Sequence, residues 1–388
     1  MSGRRCQNRN CTSVQIQLVA KPGASINGTS RYTDNLYRGL RAMGVNATLT
    51  FPQLFPPWST ARRGLRRLGL DTEAFFSSYP FHIRSNGADV IHLTTQTMGA
   101  LLLAQRFDRP VVVTVLDIIP YLVRHDPKLN TFRNPVDSLF YRLALVGLRR
   151  ADAIIAISQW TKQTLVSVLG LAPDKINVIY PGVDHKLFRP MAIPDTFLEK
   201  FGLDRKTQYV LYVGSDDPRK NLPTLIEAFA RAKRPGDKMA LLKVGPIQFP
   251  RNSARLAAQI ERLGLQTDIL TFDDISDEDL PLFYNLAVVC VIPSQYEGFG
   301  LPALEAMACG VPLICARIDA LVEIVGNAGV YFDPGLAQQL AEELRNMPVD
   351  REARLKLSEA RYQRASAFGW ARCARETKHV YAEMGASS

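Results

Sequence analysis

The chain has 388 residues, 47% of them hydrophobic and 22% charged, and a formal net charge of +10. This length exceeds the size at which one hydrophobic core usually keeps growing, so it favours two domains in a protein of ordinary soluble composition. No apolar run reaches the roughly 18 residues of a membrane-spanning helix, and no apolar stretch follows the basic N-terminal residues, so we expect neither export nor a membrane span.

The positive charge is concentrated in the first half of the chain. Residues 1–190 contain 24 Lys or Arg against 11 Asp or Glu, whereas residues 191–388 contain 23 against 26. A basic half is suited to nucleic acid, an anionic membrane surface or an acidic substrate, and charge alone does not choose among these partners.

The cysteines predict a reducing, cytoplasmic compartment. None of the six forms a CxxC pair, and three of them lie in runs typical of strand or helix cores, as expected of free thiols. Cys6 and Cys11 have no second pair of Cys or His at ligand spacing, so we expect no metal site.

Strand-like and helix-like segments alternate from the N-terminus onward, which predicts parallel sheets covered by helices on both faces. The predicted strands of the first half are Val14–Ala20, 46–51, 89–94, Pro110–Leu116, Ala151–Ser158 and Lys175–Tyr180. A helical repeat between the first two strands places four apolar residues on one face, namely Tyr32, Leu36, Leu40 and Met43.

After a segment rich in Pro and Gly the same alternation starts again. The predicted strands of the second half are 208–214, 239–245, 268–272, 288–294, 311–316 and 329–333. We therefore predict an α/β protein with two doubly wound Rossmann-like domains, 1–190 and 191–368, and a helix over 369–388 that returns across them. Ligands of open α/β sheets bind at the carboxyl ends of the strands, so we expect the site in a cleft between the domains.

A glycine-containing loop, KPGASINGTSRY, joins the first predicted strand to the first helix. Gly28 lets a ligand approach the backbone, and Thr29 or Ser30 is suited to cap the helix. The loop lacks the GxGxxG spacing of a dinucleotide site, and loop closure alone explains its glycines equally well.

A basic and aromatic segment follows within Phe51–Leu70. It contains Phe51, Phe55, Trp58, Arg62, Arg63, Arg66 and Arg67. Segments at membrane surfaces combine such residues, although a solvated helix face has the same composition. No signature of an RNA- or DNA-binding module accompanies them, so we expect no nucleic acid partner.

Two histidines of the first half follow or end predicted strands. His92 ends a strand that we place facing the cleft, and His125 follows the fourth strand. We interpret both as hydrogen-bonded structural residues, because neither belongs to a recognisable catalytic arrangement.

Two adjacent cations mark the loop after the first strand of the second half. In YVGSDDPRKNLPTLIEAF, Arg219 and Lys220 lie where a helix begins. Positive charges at that end oppose the helix dipole, so a bound diphosphate would explain their position. A solvated loop that happens to carry charges is the alternative.

The stretch YEGFGLPALEAMACG follows the predicted strand 288–294. Pro302 is suited to the first helical position, so the turn directs backbone N–H groups and the positive end of a helix dipole at one point. Glu297 lies in the loop and Glu305 about one turn into the helix, where carboxylates can accept hydrogen bonds from sugar or ribose hydroxyls. Alternatively, Glu305 only favours the helix dipole and Glu297 is a solvated loop residue.

Taken together, these motifs resemble the retaining nucleotide-sugar glycosyltransferases of the GT-B fold, family 4, also called group 1. The resemblance extends from about Val14 to Met384. Its most specific parts are the E-x7-E motif of Glu297 and Glu305, the PRKN loop and the segment GVPLICARIDALVEIVGNAGVYFDP.

The resemblance implies a nucleotide-sugar donor in the C-terminal domain, an acceptor on the N-terminal domain, and neither cofactor nor metal. Its catalytic residues would be Arg219 and Lys220, which bind the diphosphate in place of a metal, and Glu297, which binds sugar hydroxyls. The donor-binding residues would be Ser215, Gly298, Phe299, Gly300, Leu301 and Glu305, the last of them at the ribose. The acceptor or phosphate loop would contain Gly28, Thr29 and Asp117.

The family's reaction retains the anomeric configuration, by front-face attack in which the leaving phosphate accepts the acceptor's proton. The protein then supplies positioning and charge stabilisation rather than a nucleophile. Two positions depart from the family pattern. Many relatives have Arg where this chain has Ser215, and many have His near the donor sugar where this chain has Leu116.

We therefore predict a metal-independent hexosyltransferase that moves mannose from GDP-mannose to a glycan or lipid-linked acceptor, in the cytoplasm and peripherally on the inner face of the membrane. Three alternatives stay open: UDP-dependent glucosyl or galactosyl transfer, a nucleotide-sugar epimerase of the same fold, and a non-catalytic protein that binds a nucleotide-sugar or a membrane surface.

Overall fold

Two parallel six-stranded sheets with interleaved helices form the protein. The computed structural model describes residues 14–21, 28–52, 75, 77–80, 82–347 and 358–386. Both sheets have the doubly wound strand order of Rossmann-like domains, so the predicted fold class is confirmed.

The first sheet contains the six strands predicted for the first half. They are β1 (Gln15–Val19), β2 (Asn46–Thr50), β3 (Val90–Leu93), β4 (Val111–Val115), β5 (Ala153–Ala156) and β6 (Ile176–Val178). Their order in the sheet is β2-β1-β3-β4-β5-β6, so the direction of winding reverses between β1 and β3. The strands are short apolar runs because helices cover both faces of a parallel sheet.

The second sheet contains the six strands predicted for the second half. They are β7 (Gln208–Val213), β8 (Met239–Val244), β9 (Ile269–Phe272), β10 (Val289–Ile292), β11 (Leu313–Ala316) and β12 (Val330–Phe332). Their order is β12-β11-β10-β7-β8-β9, and the reversal lies between β7 and β10. Ligands of doubly wound sheets bind at such reversals, beyond the carboxyl ends of the strands.

Helices connect the strands throughout the described part of the chain. They are α1 (Gly28–Ala42), α2 (Leu101–Ala104), α3 (Ile119–Leu122), α4 (Pro135–Gly147), α5 (Gln159–Leu169), α6 (Asp195–Phe201), α7 (Leu222–Ala232), α8 (Pro250–Arg262), α9 (Leu280–Leu286), α10 (Leu301–Ala308), α11 (Asp319–Val325), α12 (Ala337–Arg345), α13 (Ser358–Ser366) and α14 (Trp370–Ala386). Because α1 begins at Gly28, Thr29 and Ser30 lie in its first turn, and our expectation that one of them caps the helix was wrong. None of the described helices is both long and apolar enough to span a bilayer.

The chain packs as two compact units. One contains the described residues up to Thr114 together with Phe140–Ile155 and Ala374–Ser388, and the other contains Val115–Leu139 and Ala156–Cys373. The domain limits that we placed at 190 and 368 stay predictions.

The core of the second sheet follows from one amphipathic helix. Leu222, Leu225, Ile226 and Phe229 repeat at helical spacing along α7 and are all buried. They share one apolar cluster with Val210 of β7 and with residues of α12. This packing fixes the start of α7, and therefore the loop before it, relative to the sheet.

The described cysteines lie inside this fold as free thiols. They are Cys290, Cys309, Cys315 and Cys373, and all four are buried. Burial raises the pKa of Cys290, Cys309 and Cys315, so these thiols stay protonated and unreactive at neutral pH.

His92 lies within a buried polar network rather than facing a cleft. Its Nδ1 is 2.6 Å from the Tyr381 hydroxyl and its Nε2 is 2.8 Å from the Thr114 hydroxyl. Thr114 is in turn 3.0 Å from the hydroxyl of Tyr32 on α1. The network therefore supports the structural role that we assigned to this histidine.

Acid is expected to destabilise the protein through His92. Burial lowers the pKa of its imidazole from 6.5 to about 3, so the folded state binds fewer protons than the unfolded state between these values. Each pH unit below 6.5 therefore costs about 1.4 kcal/mol of unfolding free energy, or roughly 2 kcal/mol at pH 5. Urea unfolding at pH 6.5 and 5 measures this loss. His92→Gln should remove it, whereas His379→Gln on the exposed surface should not.

Candidate active site

The reversal in the second sheet brings together the two loops that the sequence singled out. β7 and β10 are neighbours, with Val210 opposite Val289 and Leu211 opposite Cys290. The loops that follow these strands therefore leave the same edge of the sheet. They are joined by the backbone, because the N–H of Gln295 donates to the carbonyl of Arg219 at 2.8 Å.

A buried carboxylate, Glu297, connects these loops electrostatically. Its Oε1 accepts from Lys220 Nζ at 2.6 Å and from the Ser294 hydroxyl at 2.7 Å, and its Oε2 lies 3.6 Å from Arg219 Nη1. The side chain is only 7% exposed, which excludes the solvated alternative. Burial raises the pKa of Glu297, but Lys220 and Arg219 outweigh it, so the pKa is lowered and the carboxylate is ionised at neutral pH.

Arg219 is held in place by the turn that precedes it. Asp217 accepts from the backbone N–H and from Nε of Arg219, both at 3.1 Å, and Pro218 begins the short 3-10 turn Pro218–Lys220. Nη1 also donates to the carbonyl of Tyr296 at 3.1 Å. Burial disfavours the charged guanidinium, but the carboxylates of Glu297, Asp117 and Asp217 raise the pKa of Arg219 on balance. The two cations before α7 are therefore positioned by ion pairs, despite the unfavourable helix dipole.

Asn221 links the same loop to the strand edge, although our sequence analysis gave it no role. Its φ of 56° lies in the left-handed region, which Asn tolerates better than most residues. Its Nδ2 donates to the carbonyls of Pro293 and Pro334 at 3.1 and 2.9 Å. An Asn before a predicted helix start is the only sequence signal for this position.

Asp216 is a second residue that the sequence analysis missed. Its buried carboxylate accepts from the backbone N–H groups of Gln248 and Phe249, at 2.6 and 3.1 Å, and from the Ser253 hydroxyl. It therefore ties the loop after β7 to the start of α8. These partners lie more than 30 residues away along the chain, so no local pattern could have indicated them.

The same compact unit places Asp117 beside this network. Asp117 follows β4, its Oδ1 accepts from the Ile119 N–H at 3.0 Å, and it interacts electrostatically with Arg219 and Glu297. Burial raises the pKa of Asp117, although Arg219 opposes the shift. The other two residues predicted for the acceptor or phosphate loop, Gly28 and Thr29, begin α1 in the other compact unit.

Gly298 is packed too closely for any side chain. A Cβ at this position would overlap the carbonyl oxygen of Leu116 and come within 3.0 Å of Asp117 Cβ. The carbonyl of Gly298 accepts from the hydroxyls of Ser158 at 2.7 Å and Thr161 at 3.4 Å. The loop that carries Glu297 is therefore seated directly on the end of β4 and the start of α5.

The N-terminus of α10 offers unpaired donors next to Glu297. Gly300 precedes this helix at φ +101°, and a Cβ there would lie 2.6 Å from Leu321 Cδ2, so the turn requires glycine. Ala303 and Leu304 donate to the Gly300 carbonyl, but the N–H groups of Phe299, Gly300 and Leu301 have no protein acceptor in the described part of the chain. Buried unpaired donors at the positive end of a helix form a binding site for an anion.

Glu305 lies one turn into α10 and is buried. Its Oε2 accepts from the Tyr284 hydroxyl at 2.8 Å, and burial together with this carboxylate raises the pKa of Tyr284. The Tyr284 hydroxyl therefore fixes the orientation of the Glu305 carboxylate. Ser215, at the end of β7, uses its carbonyl to accept from the Tyr212 hydroxyl at 2.6 Å.

Among the residues that the structure describes, no group of three or more His, Cys, Asp or Glu side chains is arranged to hold a metal ion. The positive charge in the candidate site comes from Arg219 and Lys220.

Two protein families match consecutive parts of the chain. Residues 26–187 match glycosyltransferase family 4, and residues 195–364 match the glycosyl transferases group 1. The first segment includes Gly28, Thr29 and Asp117, and the second includes every other predicted site residue.

Two of the curated relatives with similar sequences are mannosyltransferases of Escherichia coli. The serotype-specific mannosyltransferase WbdA is 32% identical over 269 residues, which cover 65% of this chain and 32% of WbdA. The O-antigen chain mannosyltransferase B is 33% identical over 236 residues, 61% of each chain. The chain thus spans from about one third to about three fifths of the length of these relatives.

A solved structure shares the fold over nearly the whole length. The Anabaena HepE protein in complex with UDP-glucose superposes with a TM-score of 0.71 at 20% identity, covering 96% of this chain and 100% of HepE.

Proposed function

Because the chain belongs to the group 1 glycosyltransferases, we propose that it transfers a hexose from a nucleotide-sugar with retention of configuration and without a metal ion. We propose mannose from GDP-mannose as donor, since the two relatives above are mannosyltransferases, and a glycan or lipid-linked acceptor. One observation carries the proposal: the Lys220–Glu297 ion pair joins the loops after β7 and β10 at 2.6 Å, beside three N–H groups that have no acceptor among the described residues.

In this proposal the leaving diphosphate is stabilised by fixed positive charge. Breaking the bond between the anomeric carbon and the diphosphate oxygen places negative charge on that oxygen. Lys220 donates one of its three N–H bonds to Glu297 and keeps the others for phosphate, while Arg219 is fixed beside it. Together with the N–H groups at the start of α10, these preorganised donors replace the charge of a metal ion.

Glu297 is proposed to bind sugar hydroxyls, not to act as a nucleophile. Two cations and the Ser294 hydroxyl already hold its ionised carboxylate, which makes it a poor attacking group but a rigid acceptor. Retention then requires the acceptor oxygen to attack from the face that the diphosphate leaves. The departing phosphate oxygen takes the proton, so no protein base is needed.

Asp117 is proposed to lie on the side of the reacting carbon where the acceptor binds. It lies against Gly298, next to Glu297, and burial raises its pKa although Arg219 opposes the shift. Its carboxyl oxygens can accept a hydrogen bond from the hydroxyl of an acceptor. Glu305 is assigned to the ribose hydroxyls, with Tyr284 fixing the orientation of its carboxylate.

Nucleotides are expected to raise the melting temperature selectively. A ligand at 100 times its Kd adds about 2.7 kcal/mol to the unfolding free energy. We expect GDP and GDP-mannose to produce this stabilisation in a thermal-shift assay, with no change on adding EDTA. Stabilisation by UDP alone would favour the glucosyl or galactosyl alternative, as in the UDP-glucose complex of HepE. Loss of the effect with EDTA would contradict the metal-free site.

Product analysis separates the remaining alternatives. A transferase releases GDP from GDP-mannose and depends on an added acceptor, whereas an epimerase changes the sugar with the diphosphate still attached. A protein that binds the nucleotide-sugar without either reaction is non-catalytic. The retained anomeric configuration is read from the NMR coupling constant of the new linkage.

We propose a second partner, an anionic membrane surface on the cytoplasmic side, from the charge of the first half of the chain. Arg62, Arg63, Arg66 and Arg67, on which the sequence analysis placed this contact, lie outside the described residues. Their contribution stays a prediction.

A further inference from the structure

Helix α4 (Pro135–Gly147) presents a row of exposed apolar side chains. Val136, Leu139, Leu143 and Val146 are 39%, 50%, 37% and 51% exposed. Their spacing of three, four and three residues places them along one side of the helix, over about 15 Å. Tyr141, Ala144 and Leu145 on the opposite side are buried. Among the described residues, this helix therefore has one covered and one exposed apolar face.

This row, the α4 stripe, differs from the other exposed apolar residues of the described chain. Eight further large hydrophobic side chains are exposed there, and each lies on a different element or loop. Single exposed apolar residues are normal and need no explanation. Four on one helix form a continuous patch, which in soluble proteins indicates contact with a partner or a membrane.

The segment of the chain that contains α4 is strongly basic. Residues 118–150 contain six Lys or Arg, only two Asp and no Glu. Arg142 is exposed and lies along one border of the stripe, and Arg149 is exposed in the 3-10 turn that follows α4. Asp137 lies away from the stripe and accepts from the Arg133 N–H. The surface therefore combines an apolar centre with a cationic border.

We propose that α4 lies flat on an anionic lipid bilayer, with the α4 stripe inserted at the level of the first acyl carbons. Arg142 and Arg149 would then contact lipid phosphates at the border. The segment can bind in this way whether or not the chain transfers mannose, so the inference does not rest on the proposed reaction. The α4 stripe is also a different surface from the segment with Arg62, Arg63, Arg66 and Arg67, and all its residues are described.

A second copy of the chain fits this surface less well. Two-fold symmetry would place the same cationic border of each copy against the other or beside it, and like charges at an interface disfavour association. Lipid phosphates complement the arginines, and their attraction is worth about 1 kcal/mol for each Lys or Arg at the membrane surface.

Vesicle flotation tests this proposal with the full chain. The unaltered protein should float with phosphatidylglycerol-containing vesicles at low salt, and less with pure phosphatidylcholine. Leu139→Glu combined with Leu143→Glu should weaken binding at least about tenfold, because charges replace the inserted side chains. Arg142→Gln should weaken it about fivefold at low salt and less at high salt. Leu336→Glu, at a residue that is 53% exposed on another element, should bind normally.

Each other outcome overturns the assignment. The proposal is wrong if the unaltered chain does not float at low salt, or if the stripe variants float as it does. Loss of binding only after replacing Arg62, Arg63, Arg66 and Arg67 by Gln would move the contact to that segment. A dimer in sedimentation that the double substitution dissociates, without vesicle binding, would identify a second copy as the occupant. If the double variant does not melt cooperatively, flotation of the Arg142→Gln variant alone decides whether the α4 stripe binds lipid. The increase in melting temperature on adding nucleotide, measured for every variant, tests the donor site separately.

Discussion

Replacing Lys220 by alanine is expected to lower the rate of sugar transfer by about three orders of magnitude. The substitution removes a fixed cation from the diphosphate and leaves the Glu297 carboxylate with its charge but without its 2.6 Å partner. Loss of one preorganised donor to developing negative charge typically costs about 10²- to 10³-fold in kcat. Glu297 would in addition repel the diphosphate, so we expect the upper end of this range. Initial rates of GDP release with an added acceptor measure the effect.

Matched variants distinguish an effect of Lys220 on stability from an effect on the rate of transfer. Removing one member of a buried ion pair costs on the order of 3 kcal/mol of stability, so melting curves must accompany the rates. Lys220→Ala combined with Glu297→Gln removes the stranded charge and should regain stability without regaining transfer. Lys200→Ala breaks an exposed 2.7 Å ion pair with Asp279 and should leave the rate unchanged. A Lys220→Ala rate within threefold of the unaltered rate would refute the phosphate role.

The fold was predictable from sequence because its signals are local. All twelve strands lie within the predicted runs, with ends that differ by no more than two residues. Short β-branched runs bounded by Gly, Pro and Asn, and alternating with helical segments, favour buried parallel strands. We predicted the start of α1 one or two residues too late, because Ser and Thr occur both as caps and in the first helical turn. Residue type alone therefore did not locate the cap.

The site residues that could be predicted from the sequence are charged side chains in the turns before helices. Arg219 and Lys220 stood out because cations at a helix start are unfavourable, and the structure gives a reason in Asp217 and Glu297. Glu297 and Glu305 stood out as carboxylates around a glycine-rich turn. Both are buried and hydrogen-bonded, as a binding role requires, but no local pattern shows burial.

The residues that sequence analysis missed act over long distances along the chain. Ser158 bonds to Gly298 across 140 residues, and Glu323 accepts the backbone N–H of Gln159 at 2.7 Å across 164. Leu116, where many relatives have His, contacts Gly298 through its backbone carbonyl. Every residue has this carbonyl, so the identity of the side chain at 116 gives no signal for the contact. Such contacts depend on which strands become neighbours, and local sequence patterns do not show this.

Gly298→Ala is expected to lower the rate of transfer by about a hundredfold or more and to destabilise the fold. The added methyl group would overlap the Leu116 carbonyl, and a backbone atom at the end of a strand cannot rotate away as a side chain can. Overpacking usually costs about 1 to 3 kcal/mol, and a backbone clash should lie at the upper end of that range or above it. If the loop moves instead, Glu297 moves with it, and a displacement of about 1 Å at a reacting centre can cost 10²-fold in rate.

Gly28→Ala is the matched control for stability, because a Cβ at Gly28 meets no atom of the described residues within 4 Å and the residue lies in a helix, which alanine favours. We expect an unchanged or slightly higher melting temperature. A rise in the acceptor KM of this variant alone would support the predicted ligand loop at Gly28 and Thr29. For Gly298→Ala, calorimetry and initial rates should both change. Normal stability with normal transfer would show that the loop tolerates a side chain, and that its contact with Leu116 does not position Glu297 for the reaction.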